Sequence, residues 1–223
     1  MNAILWKKIK AMKNQKIKLV ISILLPILLQ FIYYVKGIDI NLIVGFMPYI
    51  SVSIGAILLF NIEDLLYSEV ILGTPLTLKR IWTINATIIV TISVVYCELI
   101  LVGLLILTSS FSIITFKAII MNLISILLSL GLILMSTIHW KNYSKGNQYL
   151  ASVFALINFV SPFAFLFYAN YLININLIGY FIISILLIIL GTLYFKAGNA
   201  EELIINAEEF ITSYDNQNTV ISE

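Results

Sequence analysis

LVISILLPILLQFIYYV, residues 19–35, carries no charge from end to end. A helix needs about 20 mostly apolar residues to cross a hydrocarbon core of about 30 Å, and this run with its flanks comes close to that. Lys7, Lys8, Lys10, Lys13, Lys16 and Lys18 precede it, and Lys36 closes it. No small-residue cleavage site bounds it, so it reads as a first spanning helix rather than a cleaved leader. Working outward, five further apolar runs occupy 42–60, 84–107, 118–138, 150–168 and 177–195. Polar punctuation separates them: Lys36 to Asp39, Asn61 to Arg80, Thr108 to Ser110, His139 to Gln148, and Asn170 to Asn176. A membrane β-barrel would show alternating strands of about ten residues, which these continuous Ile/Leu runs are not.

Composition agrees. Hydrophobic residues make up 61% of the 223 positions and charged residues 11%, and the mean hydropathy is +1.05. Soluble domains carry about 25% charged residues, so this chain has too few to cover a water-facing surface of its own size. The expected fold is all-α and polytopic, with six transmembrane helices in 19–195. An interfacial helix in 1–18 precedes them, a short cytoplasmic helix lies in 61–80, and an acidic tail occupies 196–223.

Lysine and arginine set the orientation. Beyond the six N-terminal lysines, Lys79 and Arg80 lie in the second loop, Lys141 and Lys145 in the fourth, and Lys196 opens the tail. The odd loops hold only Lys36 and Lys117. The positive-inside rule then places both termini and the even loops in the cytoplasm, with the plasma membrane as the expected location. In 2–16, Leu5, Ile9 and Met12 share one helical face with Trp6 beside them, while Lys7, Lys10 and Asn14 lie opposite. That suits a helix in the anionic headgroup region of membrane lipid, or a lysine-rich cap that only fixes topology.

The second loop reads NIEDLLYSEVILGTPLTLKR over 61–80. Acids interleave with Leu65, Tyr67 and Leu72, and Gly73-Thr74-Pro75 then breaks the helix. Thr74 or Thr77 can start the next. A basic amphipathic helix, two spans, a Glu-containing cytoplasmic helix running into Leu72-Gly73-Thr74-Pro75-Leu76-Thr77, and four more spans resemble the ABC-2 type permeases. These are the membrane subunits of one class of ATP-binding-cassette exporters. The resemblance covers nearly the whole chain in layout, and in residues rests on Glu63, Glu69 and 72–77. Asp64 follows Glu63 where the family often has Arg, and Tyr67-Ser68 stands where Gly-Thr is usual. The resemblance implies that Glu63, Asp64, Glu69, Leu72, Thr74 and Pro75 dock on a cytoplasmic ATPase. It also implies two such ATPases, carrying ATP and magnesium, and a second permease, identical or related. The same three acids also suit a plain solvated face. The re-entrant hairpin that many members of that family insert between spans five and six should be absent or vestigial here.

The chain has no GxxxxGK[ST] loop to bind ATP itself, no hydrolase set, no cofactor motif and no basic aromatic surface for nucleic acid. Cys97 is the one cysteine, so no disulfide framework or thiolate metal site is expected. His139, the one histidine, stands at a membrane boundary. Pro26, Pro48 and Pro162 sit within or near spans as kinks, fixed or gating. In the tail, Leu203, Ile204, Ala207, Phe210 and Ile211 against Glu201, Glu202, Glu208 and Glu209 suggest a short amphipathic helix.

Glu98 is the one acid deep in a span. A charge there is costly, so it should face the bundle or a wet cavity, with a structural role favoured over a substrate contact. Gln30, Tyr34, Ser53 and Asn158, with Tyr33, Ser51 and Ser161, form a mostly neutral set within reach of a pathway. Such a wall suits an amphipathic or lipid-like cargo; among the cargoes of the resembled family, the resemblance then implies a small hydrophobic or antimicrobial-type peptide. Two rivals stand beside an exporter subunit: a secondary transporter or small channel, which usually needs more ionisable residues in its spans, and a non-transporting immunity or signalling protein. Topology is testable at once. In a chain without Cys97, cysteines at Asp39, Ile113 and Ile173 should react with an impermeant reagent from outside, and those at Ser68, Asn142 and Ser213 should not. One loop labelled from the wrong side breaks the arrangement.

Overall fold

The computed structural model describes residues 9, 10, 12–59, 78–138, 145–172, 174 and 176–195. Its elements are α1 (Lys16–Val35), α2 (Ile40–Leu59), α3 (Leu78–Thr108), a 3-10 turn (Phe111–Ile113), α4 (Phe116–Ser136), α5 (Lys145–Leu172) and α6 (Leu177–Phe195). Among the described residues there is no strand. All six helices are long and apolar enough to cross a membrane, and the chain is a multi-pass membrane protein.

The helices outrun the apolar runs where no breaker stops them. α3 has 31 residues and α5 has 28. At 1.5 Å per residue these are roughly 46 and 42 Å, well beyond the lipid core. Hydropathy marks the lipid-facing length, whereas helical hydrogen bonding continues through polar residues such as Lys79 and Arg80, both exposed in the first turn of α3. Where the chain must turn sharply, the ends are closed. After α1, Ile38 N–H donates to Tyr33 O at 3.1 Å and Gly37 N–H to Tyr34 O at 3.0 Å, with Gly37 at φ 71°. Ser110 and Ser109 repeat that pair of bonds after α3, on Leu105 and Ile106, with Ser109 at φ 52°. Both are Schellman ends, which satisfy the last carbonyls through one left-handed residue.

At the same end of the bundle, Asn41 Oδ1 accepts from the Thr115 backbone N–H at 2.8 Å and from its hydroxyl at 3.1 Å. Thr115 in turn caps α4. At the opposite end Trp82 Nε1 donates to Thr137 Oγ1 at 2.8 Å, joining the start of α3 to the end of α4. The segment before α1 also reaches the bundle. Met12 is buried against Leu59, Ile88 and Ile89, while Lys10, Lys13 and Asn14 are exposed. Residues 1–8 of the expected interfacial helix, and the tail from 196, lie outside the described residues.

α2 is the hub. It packs on α1, α3, α4 and α5, and α4 carries α6. From Leu42 to Ala56 every residue of α2 is buried. A chain of rings crosses this core: Tyr33 to Phe165 at 5.0 Å, Phe165 to Phe46 at 5.5 Å, Phe46 to Tyr180 at 5.7 Å. Lipid tails give apolar helix faces no reason to leave them, so close backbone approach must hold the helices together. α4 and α6 show this: a Cβ at Gly191 would overlap the Leu134 side chain, and one at Gly131 would stand 2.8 Å from Leu187 Cβ. Gly191→Val should therefore lower the unfolding midpoint of the purified chain, at a cost of about 1–3 kcal/mol for overpacking. Adding Leu134→Ala should recover part of it. An unchanged midpoint would mean that α4 and α6 do not cross at these glycines.

Candidate functional site

Three prolines lie inside helices, Pro26 in α1, Pro48 in α2 and Pro162 in α5. A proline has no N–H, so the carbonyl four residues earlier loses its helical donor. Those carbonyls belong to Ser22, Val44 and Asn158, and each accepts from a side chain instead. Tyr96 Oη of α3 donates to Ser22 O. Asn122 Nδ2 of α4 donates to Val44 O at 2.9 Å. Ser161 Oγ, within α5, donates to Asn158 O at 3.3 Å. Two of the three replacements come from a neighbouring helix, so each of those kinks doubles as a docking point.

Around these points the polar side chains sort into seams. Between α2 and α5, Tyr49 Oη and Ser161 Oγ share a hydrogen bond at 2.6 Å, and Ser53 Oγ donates to Asn158 Oδ1 at 3.3 Å. Tyr33 Oη of α1 donates to Pro162 O at 2.6 Å, bringing α1 onto the same stretch of α5. Across α2, α4 and α6, Ser125 Oγ donates to Gly45 O at 2.6 Å and meets Tyr180 Oη at 3.0 Å. Glu98 belongs to the Pro48 docking point: its Oε1 accepts from Asn122 Nδ2 at 3.0 Å.

The third seam, where α3 meets α1 and α2, differs. Gln30 Nε2 points at Cys97 Sγ at 3.7 Å. Gln30 Oε1 and both amide atoms of Asn85 are buried with no hydrogen-bond partner from the protein, and buried Ser51 Oγ has only the Cys97 thiol. Asn85 and Cys97 occupy one buried stripe of α3 that also holds Ile89 and Ser93.

The pathway residues read from sequence therefore do not line one surface. Gln30 lies in the α1–α3 seam, and Ser53 and Asn158 lie in the α2–α5 seam. All three are buried. Glu98 is half-buried, and its bond to Asn122 puts it among the bundle-facing groups. Tyr34 is exposed, away from both seams. Glu63, Asp64, Glu69, Leu72, Thr74 and Pro75 lie outside the described residues. Asn122, Tyr96, Ser125 and Tyr180 escaped the reading of the sequence. A usable signal existed for the first two: a proline inside a span obliges some polar side chain to reach the carbonyl four residues back. No group of three or more His, Cys, Asp or Glu that would hold a metal occurs among the described residues. Compared with family models, with curated proteins and with solved structures, the chain gives no match.

The proline rule can be tested as a cycle. Asn122→Leu leaves Val44 O and Glu98 without their donor, a loss of about 1–3 kcal/mol for a buried group stripped of its partner. In a Pro48→Ala background the alanine N–H supplies Val44 O, and Asn122→Leu should cost measurably less in unfolding of the purified chain. Equal costs in the two backgrounds would show that Asn122 does not serve the proline-freed carbonyl.

Proposed function

We propose that this chain is the membrane-spanning permease subunit of an ABC exporter of the ABC-2 type. It would lie in the plasma membrane with both termini cytoplasmic, paired with a second permease and driven by two separate ATPases that bind ATP and magnesium. The observation that carries this reading is the stretch 61–80 in its setting. Its acids and its Leu72 to Thr77 turn resemble the family's docking region. It joins the hub helix α2, which ends at Leu59, to the long helix α3, which begins within it at Leu78. A push on that stretch would be delivered to the centre of the bundle, through rigid-body motion rather than covalent chemistry.

Glu98 weighs against a proton-coupled secondary transporter. It is the one acid within the spans, and one of its oxygens is already engaged by Asn122. Such carriers place several ionisable groups along their path. For cargo, a small amphipathic or hydrophobic molecule, foremost a peptide, fits a bundle whose exposed surface within the spans is almost wholly apolar and whose external connections are short.

The test is biochemical. The tagged chain should co-purify an ATPase subunit from its own cells. Replacing Glu63, Asp64 and Glu69 together by Ala should weaken that association or uncouple hydrolysis from transport. Charged contacts of this kind range from little effect at a rim to about 2–5 kcal/mol when desolvated. A triple variant that associates and transports like the parent would reduce the acids to a solvated face. Failure to recover any ATPase would favour the non-transporting alternative.

A further inference from the structure

We propose that the junction of α1, α2 and α3 around Gln30, Ser51 and Cys97 is a water-binding site inside the membrane span. The three residues come from three helices and are all buried, Ser51 and Cys97 completely and Gln30 at 2% exposure. The register is pinned one turn away, where Gly55 of α2 approaches Ser93 of α3 so closely that a Cβ would strike the Ser93 hydroxyl. Four residues back along α2 and four residues on along antiparallel α3, Ser51 faces the Cys97 thiol. Ser51 stands about 16 Å from Ile40 and about 12 Å from Leu59 along α2, far from either headgroup region.

The serines elsewhere show why this place is unusual. Ser22, Ser129, Ser136 and Ser184 turn back and donate to carbonyls of their own helices, the cheapest solution in lipid. Ser51 does not: it turns to the Cys97 thiol, a weak partner, while Gln30 Oε1 finds no protein partner. The bonds present, Gln30 Nε2 to Cys97 Sγ at 3.7 Å and Ser51 to the same thiol, both use a weak partner. An amide oxygen left bare and a hydroxyl held only by sulfur are both poorly satisfied away from water. A single water is the smallest group that satisfies both: it donates to Gln30 Oε1, exchanges a bond with Ser51 Oγ, and keeps a second proton for the thiol. That meets the two to four polar partners a buried water requires. The other polar seams, α2–α5 and α2–α4–α6, are joined by direct protein contacts and present no such set.

The sole cysteine reports on the proposal. Radiolytic footprinting of the full chain in lipid nanodiscs makes hydroxyl radicals from water in place and marks the side chains beside it. Met47, as fully buried as Cys97, and Met121, at 2% exposure, serve as dry references. With each rate normalised to the same residue in the denatured chain, Cys97 should be oxidised several-fold faster than Met47 and Met121. In a Gln30→Leu, Ser51→Ala variant the Cys97 rate should fall to theirs. A Cys97 as protected as Met47 in the unaltered chain overturns the proposal. So does equal rapid oxidation of all three, which would report opening of the whole bundle. If the double variant fails to fold, the comparison within the unaltered chain decides alone.

Discussion

In a hydrocarbon solvent every backbone carbonyl must find a donor inside the protein, and this bundle is organised by the three that prolines leave without one. A free carbonyl at Ser22, Val44 or Asn158 would cost several kcal/mol in lipid. The chain answers with a side chain in each case, and twice that side chain belongs to another helix. α1 is thereby tied to α3 by Tyr96, and α2 to α4 by Asn122. Since α4 also carries α6 through Gly131 and Gly191, the Val44–Asn122 contact secures both helices to the hub. Glu98 follows from the same constraint. Its partner is the asparagine that Val44 already holds in place, so the costliest residue in the spans sits where a donor was available for a different reason.

Helix association in lipid draws on close packing and hydrogen bonds, and the two are divided among the seams here. α4 and α6 meet through glycines, with Ser125 and Tyr180 as the polar contact at one level. α2 and α5 meet through hydroxyls and an amide, with aromatic rings filling between. The α2–α3 crossing uses a glycine at Gly55, but at its next turn Ser51 has only a thiol and Gln30 Oε1 is unmatched by protein. The identity of the residues explains the difference. Tyr49 and Ser161 are both donor and acceptor and can satisfy each other, whereas a thiol offers Gln30 and Ser51 little of either.

Much of this architecture was legible in the sequence, and the reason is the solvent. Apolar runs about as long as a bilayer core is thick have few folds open to them, so six helices follow from 19–35 and its five counterparts almost without reference to particular residues. Helix ends were less legible. Nothing in Leu78 to Thr83 prevents helix, so α3 starts earlier than its apolar run. What the sequence withheld was which polar residue meets which. Gln30, Ser53 and Asn158 look alike as neutral polar groups in apolar runs. The fold assigns the first to one seam and the other two to another, because helix rotation about its axis is set by packing that no local pattern records. Asn122 was the reverse case, readable through Pro48 by arithmetic on one helix, with only its partner's identity needing three dimensions.

The uneven seams also bear on how the proposed exporter would move. A conformational change needs an element whose equilibrium a partner can bias, and a packed core resists gradual deformation. α2 is held on four sides and buried without a break from Leu42 to Ala56, so displacing it would disturb every seam together. α3 is held mainly by α2, with lesser contact to α1 and α4. It begins at Leu78, within 61–80, and along its buried stripe protein bonds leave Gln30 Oε1 and the Asn85 amide unmatched. A push on 61–80 would reach both helices at once; α3, the less enclosed, would answer it at the cost of its bonds through Tyr96, Glu98 and Trp82. Water at Gln30 and Ser51 would ease that answer, because a bridging molecule can exchange partners as the helix shifts, where a direct bond would have to be lost first.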